Sequence, residues 1–142
     1  MIVPDINLLL YATIDSFSEH VLARTWWERC LSEKREIGIP SAVLFGFIRI
    51  ATNRRIFDPP MTVDFALEVV GSWLTRPQVR LLSPGPRHVA LAFGLLRELG
   101  TAANLTTDAQ IAALAIEYQA EVQSADSDFA RFPQLRRSNP LG

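Results

Sequence analysis

Short runs of apolar residues alternate along the chain with longer stretches that have helical periodicity. The best-marked helical stretch is TTDAQIAALAIEYQA, residues 106–120. Its apolar residues recur at the spacing of one helix face, at Ile111, Leu114, Ala115 and Tyr118. We expect Thr107 and Gln110 to form a capping box at its start. This alternation predicts an α/β fold with a mainly parallel central sheet and helices on both faces.

The pattern predicts five strands and six helices. The strands are expected at 1–5, 37–40, 79–84, 121–125 and 135–138, and the helices at 7–13, 18–36, 41–55, 62–74, 86–100 and 106–120. Candidate residues for the helix ends are Ser18, Ser41, Thr62 and Gly100. In the second helix we expect a buried stripe of Leu22, Trp26 and Cys30. Trp27 belongs either to the core or to the edge of a groove.

The composition is that of a globular protein. The chain has 142 residues, 49% of them hydrophobic and 20% charged, with a net charge of -1. These values predict one domain, 1–142. The only lysine, Lys34, follows no glycine-rich loop, which excludes a P-loop. The chain has one cysteine, and it shows neither an apolar run long enough to span a membrane nor a secretory leader. We therefore expect a cytoplasmic protein without membrane contact.

Carboxylates stand at three places that the pattern assigns to one edge of the sheet. Asp5 ends the first strand, Asp126 and Asp128 follow the fourth, and Asp108 lies at a helix start. Ligands bind at the carboxyl ends of parallel strands, so we expect these acids to lie together. Helix-dipole and turn-forming roles are the structural alternatives.

A cluster of these acids needs neutralisation. Two carboxylates ~4 Å apart repel by ~4 kcal/mol at an effective dielectric of about 20, so the acids share protons or bind a cation. Oxygen donors favour Mg²⁺ or Mn²⁺. Zinc is disfavoured because the chain has only two histidines.

Three segments resemble a known family in order and spacing. VPDINLLLYA, TTDAQIAALAIEY and SADSDF are similar to the PIN-domain ribonucleases, and most closely to the VapC-type toxins of toxin–antitoxin pairs. The resemblance implies a PIN-like three-layer fold and an endoribonuclease that hydrolyses RNA phosphodiester bonds with metal-activated water. Its cofactor would be Mg²⁺, with Mn²⁺ as a substitute. A small VapB-like antitoxin, RNA and a second copy of the chain are the expected partners.

The resemblance also implies roles for individual residues. Asp5, Asp108 and Asp126 would be metal ligands, and Asp128 a further catalytic acid of the cluster. Asn7 would orient Asp5 or contact the substrate.

Gly46 stands where the resemblance would place a glutamate in the third helix. Either the glycine allows close packing of this helix on the sheet, or it leaves room for a hydrated metal or a phosphate. Arg49 and Asn53 follow on the same helical stripe, and Arg54 and Arg55 add positive charge. We expect these four residues to bind the RNA backbone, and pairing with a carboxylate is the alternative for Arg49. The alternative for Arg54 and Arg55 is a solvated helix end.

Other functions stay open or are disfavoured. A degenerate PIN module would bind RNA or a protein partner without cleavage, and Gly46 is its main support. A haloacid-type phosphotransferase requires a second aspartate where this chain has Asn7. The chain has no G-x-S-x-G elbow for a serine hydrolase.

Overall fold

The computed structural model describes all 142 residues. Its strands are β1 (Ile2–Pro4), β2 (Ile37–Pro40), β3 (Val79–Leu82), β4 (Glu121–Gln123) and β5 (Arg137–Ser138). Its α-helices are α1 (Ile6–Thr13), α2 (His20–Ser32), α3 (Ser41–Ala51), α4 (Val63–Leu74), α5 (His88–Leu99) and α6 (Thr106–Glu117). Two short 3₁₀ turns span Ala103–Leu105 and Ser127–Arg131.

The strands form one sheet in the order β3-β2-β1-β4-β5, and every neighbouring pair is parallel. The chain steps from β1 through β2 to β3 in one direction and then crosses to the other side of β1. Because such crossovers are right-handed, α1 to α4 cover one face and α5 and α6 the other. The predicted three-layer α/β fold is therefore confirmed, with a sheet that is wholly parallel.

The core lies between these layers and is rich in aromatic residues on the α1–α4 side. The ring of Phe47, on α3, meets Trp73 of α4 edge to face with centroids 4.9 Å apart. Trp27 contacts Trp73 in the same way at 5.6 Å. Trp26 and Trp27 are both buried, which makes Trp27 a core residue rather than a groove edge. Leu22 is exposed, so its predicted place in the buried stripe is wrong.

Two predicted helix caps, those of α2 and α6, are wrong. The Ser18 hydroxyl donates to Glu19, and α2 begins at His20 without a side-chain cap. The capping box of Thr107 and Gln110 is absent, since a 3₁₀ turn runs directly into α6. The α3 helix begins at Ser41, as predicted, with Pro40 at its N-cap.

Two other predicted helix ends are confirmed. The Thr62 hydroxyl accepts a hydrogen bond from the Phe65 N–H at 3.2 Å and caps α4. Gly100 ends α5 in the left-handed conformation, with φ of 70°, which glycine adopts without strain.

The strand order places a topological switch point between β1 and β4. The β1 strand pairs with β2 on one side and with the much later β4 on the other. In open parallel sheets, ligand sites form at the carboxyl ends of strands at such a point.

None of the helices has the length and apolar character needed to cross a bilayer.

Candidate acidic site at the β1–β4 junction

Asp5 begins the site, at the end of β1. Pro4 is level with Gln123 in the parallel register, and the Asp5 N–H donates to the Gln123 carbonyl at 2.9 Å. The Asp5 side chain caps α1, because its Oδ1 accepts a hydrogen bond from the Ile6 N–H at 2.7 Å. Its Oδ2 accepts one from the Ser124 hydroxyl at 2.8 Å. Although only 6% exposed, this carboxylate therefore has a donor on each oxygen.

Ser124 joins the two strand ends and was not predicted as a site residue. Besides donating to Asp5, its Oγ accepts a hydrogen bond from the Asp126 N–H at 2.9 Å. Asp126 Oδ1 in turn accepts one from the Asp128 N–H at 2.9 Å. The sequence feature that marks Ser124 is a small hydroxyl residue between the end of β4 and the first following acid. One hydroxyl thus fixes the Asp5 side chain and the Asp126 backbone together.

Asp108 reaches the same rim from the first turn of α6. Its half-buried carboxylate accepts no hydrogen bond, so it does not cap the helix. Burial raises the pKa of Asp108 to about 6, and the charges of Asp5, Asp128 and Asp126 act in the same direction. Burial also raises the pKa of Asp5, against the lowering effect of its two hydrogen bonds, and Asp126 and Asp128 raise it further. The four predicted acids therefore share one electrostatic environment.

No cationic side chain neutralises this cluster. The four ion pairs of the structure all lie elsewhere and involve Arg24, Arg29, Arg35 and Arg80. The structure contains no group of three or more His, Cys, Asp or Glu side chains that is already arranged to hold a metal ion. The donors are nonetheless all oxygens, which suit a hard divalent ion. Mg²⁺ commonly binds one or two carboxylates and keeps several waters, so an open set of this kind fits it.

Asn7 does not orient Asp5, contrary to one of its two predicted roles. Its half-buried side chain makes no hydrogen bond, and the Ser124 hydroxyl and the Ile6 N–H hold the Asp5 carboxylate instead. The amide of Asn7 is therefore available to another group near the acids.

Gly46 is a packing residue, but against a helix and not against the sheet. A Cβ atom at this position would lie 2.6 Å from the Cδ1 atom of Ile6 on α1. The Ile6 side chain thus occupies the place that we considered as room for a hydrated metal or a phosphate, and that interpretation is wrong. Close contact between α1 and α3 accounts for the glycine.

The predicted RNA-binding residues lie on α3 and in the turn that follows it. Arg49, Arg54 and Arg55 are exposed and take part in no ion pair, including with the acids. The helix ends at Ala51, not at residue 55. Asn53 forms the next turn, because its Oδ1 accepts a hydrogen bond from the Arg55 N–H at 2.9 Å.

An all-parallel sheet with carboxylates from three chain segments at its switch point defines an α/β protein with an acidic rim. The PIN domain model matches residues 2–135. Ribonuclease VapC33 of Mycobacterium tuberculosis is 50% identical to the chain over 141 residues, which are 99% of each protein. The chain belongs to the PIN-domain family, and within it to the VapC group.

Solved structures share this fold at low sequence identity. VapBC2 from Rickettsia felis, bound to a DNA fragment from its promoter, superposes with a TM-score of 0.68, 19% identity and 98% coverage of both chains. The Mycobacterium tuberculosis toxin VapC20, which cleaves the sarcin–ricin loop, gives a TM-score of 0.69 at 15% identity, covering 92% of this chain and 93% of that one.

Replacing Asp108 with Asn is expected to stabilise the metal-free protein at neutral pH. The pKa of Asp108 is about 6 in the fold against an ordinary value of 3.8. The folded state therefore binds more protons between these pH values, and its stability falls as the pH rises through this range. After allowance for solvent screening, we expect the variant to gain about 1 kcal/mol, or roughly 2–5 °C in Tm, at about pH 7.5. Thermal unfolding in EDTA measures this gain.

The Asp108→Asn gain should nearly vanish at about pH 4, where the Asp108 carboxyl is protonated in the fold. Asp64→Asn is the matched control, because Asp64 also lies in the first turn of a helix but outside the cluster. A Tm that does not rise at neutral pH would show that Asp108 is not under electrostatic strain.

Proposed function

We propose that residues 1–142 form a single PIN domain that acts as a magnesium-dependent endoribonuclease, the toxin of a VapBC-type toxin–antitoxin system. The observation that carries this proposal is the electrostatic coupling of four acids at the switch point: burial, and then the charges of Asp5, Asp128 and Asp126, raise the pKa of Asp108. The 50% identity to a protein named as a ribonuclease supports the reaction.

The four acids at this rim would have different roles. Asp5, Asp108 and Asp126 would hold Mg²⁺, or Mn²⁺ in its place. When bound, the ion lowers the pKa of a water molecule and offsets the charge of the phosphodiester. Ser124 and the Ile6 N–H keep the Asp5 carboxylate in one orientation. Asp108 is free of protein hydrogen bonds, and Asp128 would complete the negative surface that faces the reacting phosphate.

Residues beside the rim would bind the RNA. The free amide of Asn7 would contact the substrate next to the acids. Arg49, Arg54 and Arg55 are unpaired and exposed, so they are available to backbone phosphates. Contacts of this kind position a nucleic acid without reading its sequence. Asn53 would contribute mainly by shaping the turn that presents Arg54 and Arg55.

The proposed protein partners are a VapB-like antitoxin and a second copy of the chain. VapBC2, one of the similar structures, is a toxin–antitoxin complex. Large apolar side chains are exposed on several helices and could be covered by such partners. They include Val21, Leu22, Phe45, Phe65, Leu67, Val89 and Phe93.

A second candidate function is RNA or protein binding without cleavage. The observation that favours it is Gly46, because Ile6 fills the space beside it and no carboxylate is supplied from α3. The two functions differ in whether the four remaining acids support hydrolysis.

Removing the metal is expected to stop RNA cleavage. We expect the purified protein to cut single-stranded RNA in millimolar Mg²⁺, to lose this activity in excess EDTA, and to recover it on addition of Mg²⁺ or Mn²⁺. Gel analysis of end-labelled RNA measures the rate. RNA that is bound in Mg²⁺ but never cut would support the binding module. Equal cleavage with and without EDTA would contradict the metal-dependent reaction.

A further inference from the structure

The α1 helix carries a line of half-buried side chains away from the acids. Asn7 and Tyr11 are four residues apart on α1 and so share one face of the helix. At a rise of about 1.5 Å per residue, Tyr11 lies about 6 Å further along the axis than Asn7. The Tyr11 hydroxyl, like the Asn7 amide, makes no hydrogen bond. Burial raises the pKa of Tyr11, and the charges of Glu19, Asp126 and Asp5 add to this effect, which indicates that the phenol lies near the rim.

Two further aromatic rings continue the line from Tyr11. Its ring contacts Phe17 edge to face, with centroids 4.9 Å apart and planes at 68°. Phe17 contacts Phe57 in the same way at 5.8 Å and 85°. Tyr11 and Phe17 pack partly against the hydrophobic core, whereas Phe57 does not. Phe57 is half-buried, so part of its surface is accessible to a ligand at the end of the line.

The turn that places Phe57 also presents two arginines. The carbonyl of Asn53 accepts a hydrogen bond from the Phe57 N–H at 3.0 Å, and its side chain accepts one from the Arg55 N–H. Arg54 and Arg55 are exposed and unpaired. The aromatic line thus begins near the acids and ends in the turn that carries the exposed Arg54 and Arg55.

We propose that Tyr11, Phe17 and Phe57, together with Arg54 and Arg55, form the track along which unpaired RNA extends from the acidic site. This inference rests on the proposed function and adds the substrate's path to it. Proteins that bind single-stranded nucleic acids combine aromatic stacking platforms with basic groups that hold the phosphates, as this line does.

The mixed charges along the track favour base stacking, and not electrostatic attraction alone, as the way the track binds RNA. Glu19 lies near Tyr11, and Asp58 directly follows Phe57, so the surface is not uniformly positive. Stacking depends little on base identity, which gives the track weak sequence preference. A duplex hides the faces of its bases, and the track therefore selects unpaired RNA.

The Phe57→Trp variant tests base stacking directly. The three native tryptophans are 3–4% exposed, so a new indole at position 57 reports on the track. We expect an unpaired oligoribonucleotide to quench the fluorescence added by the substitution. The same sequence as a duplex should leave that fluorescence unchanged. Quenching equally strong with the duplex would overturn the stacking track.

Cleavage kinetics give a second readout. Phe57→Ala is expected to raise KM for single-stranded RNA about 5–20-fold, while kcat stays within about twofold. Phe57→Trp should keep KM near the wild-type value, because it retains a stacking surface. Leu81→Ala is the matched control, since Leu81 is 52% exposed on the edge strand β3 and belongs neither to the track nor to the proposed partner surfaces. Its KM should not change.

The two readouts separate this inference from the proposed function. If wild-type protein cuts RNA but Phe57→Ala leaves KM unchanged and no quenching occurs, the track is wrong and the nuclease stands. If RNA quenches the Phe57→Trp variant but wild-type protein does not cut, the track stands and the nuclease proposal fails.

Discussion

Asp5→Asn is expected to reduce RNA hydrolysis by at least about 100-fold, on the scale of losing one group that stabilises developing charge. The substitution removes the negative charge at the switch point but keeps the shape of the side chain. The amide oxygen can still accept the Ile6 N–H bond that caps α1. Initial rates of cleavage at saturating Mg²⁺ measure the loss.

Two controls test whether a loss of activity in Asp5→Asn comes from misfolding or from the substitution itself. The Tm of Asp5→Asn should change little, because removal of a buried and repelled charge offsets the loss of the acceptor for the Ser124 hydroxyl. Asp64→Asn, which lies on α4 outside the cluster, should cleave RNA at the wild-type rate. A well-folded Asp5→Asn protein with wild-type activity would remove the acid cluster from the reaction.

Phe47→Ala is expected to produce the largest loss of stability, about 3–5 kcal/mol. Phe47 is fully buried and its ring packs edge to face on Trp73. Truncation loses the transfer free energy of the ring and leaves a cavity between α3 and α4. For a domain of this size we expect a fall in Tm of about 10–20 °C. Urea unfolding followed by circular dichroism measures the free energy of unfolding.

Phe45→Ala is the matched control for Phe47→Ala. Phe45 lies two residues earlier on the same helix but is 64% exposed. Its truncation should change stability by no more than about 0.5 kcal/mol. Equal losses at the two positions would contradict the orientation of α3.

The order of strands and helices could be predicted because each depends on periodicity along the chain. The β2 strand was predicted at its observed bounds, 37–40, where an apolar run ends at a proline. Helix ends were less predictable, since they depend on which hydrogen bonds form locally. Ser18 bonds Glu19 in place of capping α2, and Asn53 starts a turn within the stretch that was predicted as helix to residue 55.

The positions of the acids could also be predicted, because strand ends and helix starts meet at one edge of a parallel sheet. Ser124 could not be distinguished from a turn residue, since its role depends on Asp5, 119 residues away in sequence. The contact between Gly46 and Ile6 depends in the same way on how α1 and α3 cross. The roles of the acids, of Asn7 and of the arginines stay predictions.

The position of β1 at the centre of the sheet delays assembly of the acidic rim during translation. One neighbour of β1 is β4, whose residues 121–123 leave the ribosome after most of the chain. A nascent or prematurely terminated polypeptide that stops before β4 carries Asp5 and Asp108 but lacks Ser124 and Asp126. Such a product lacks part of the acidic rim, so the proposed RNA cleavage would arise only in chains synthesised almost to completion.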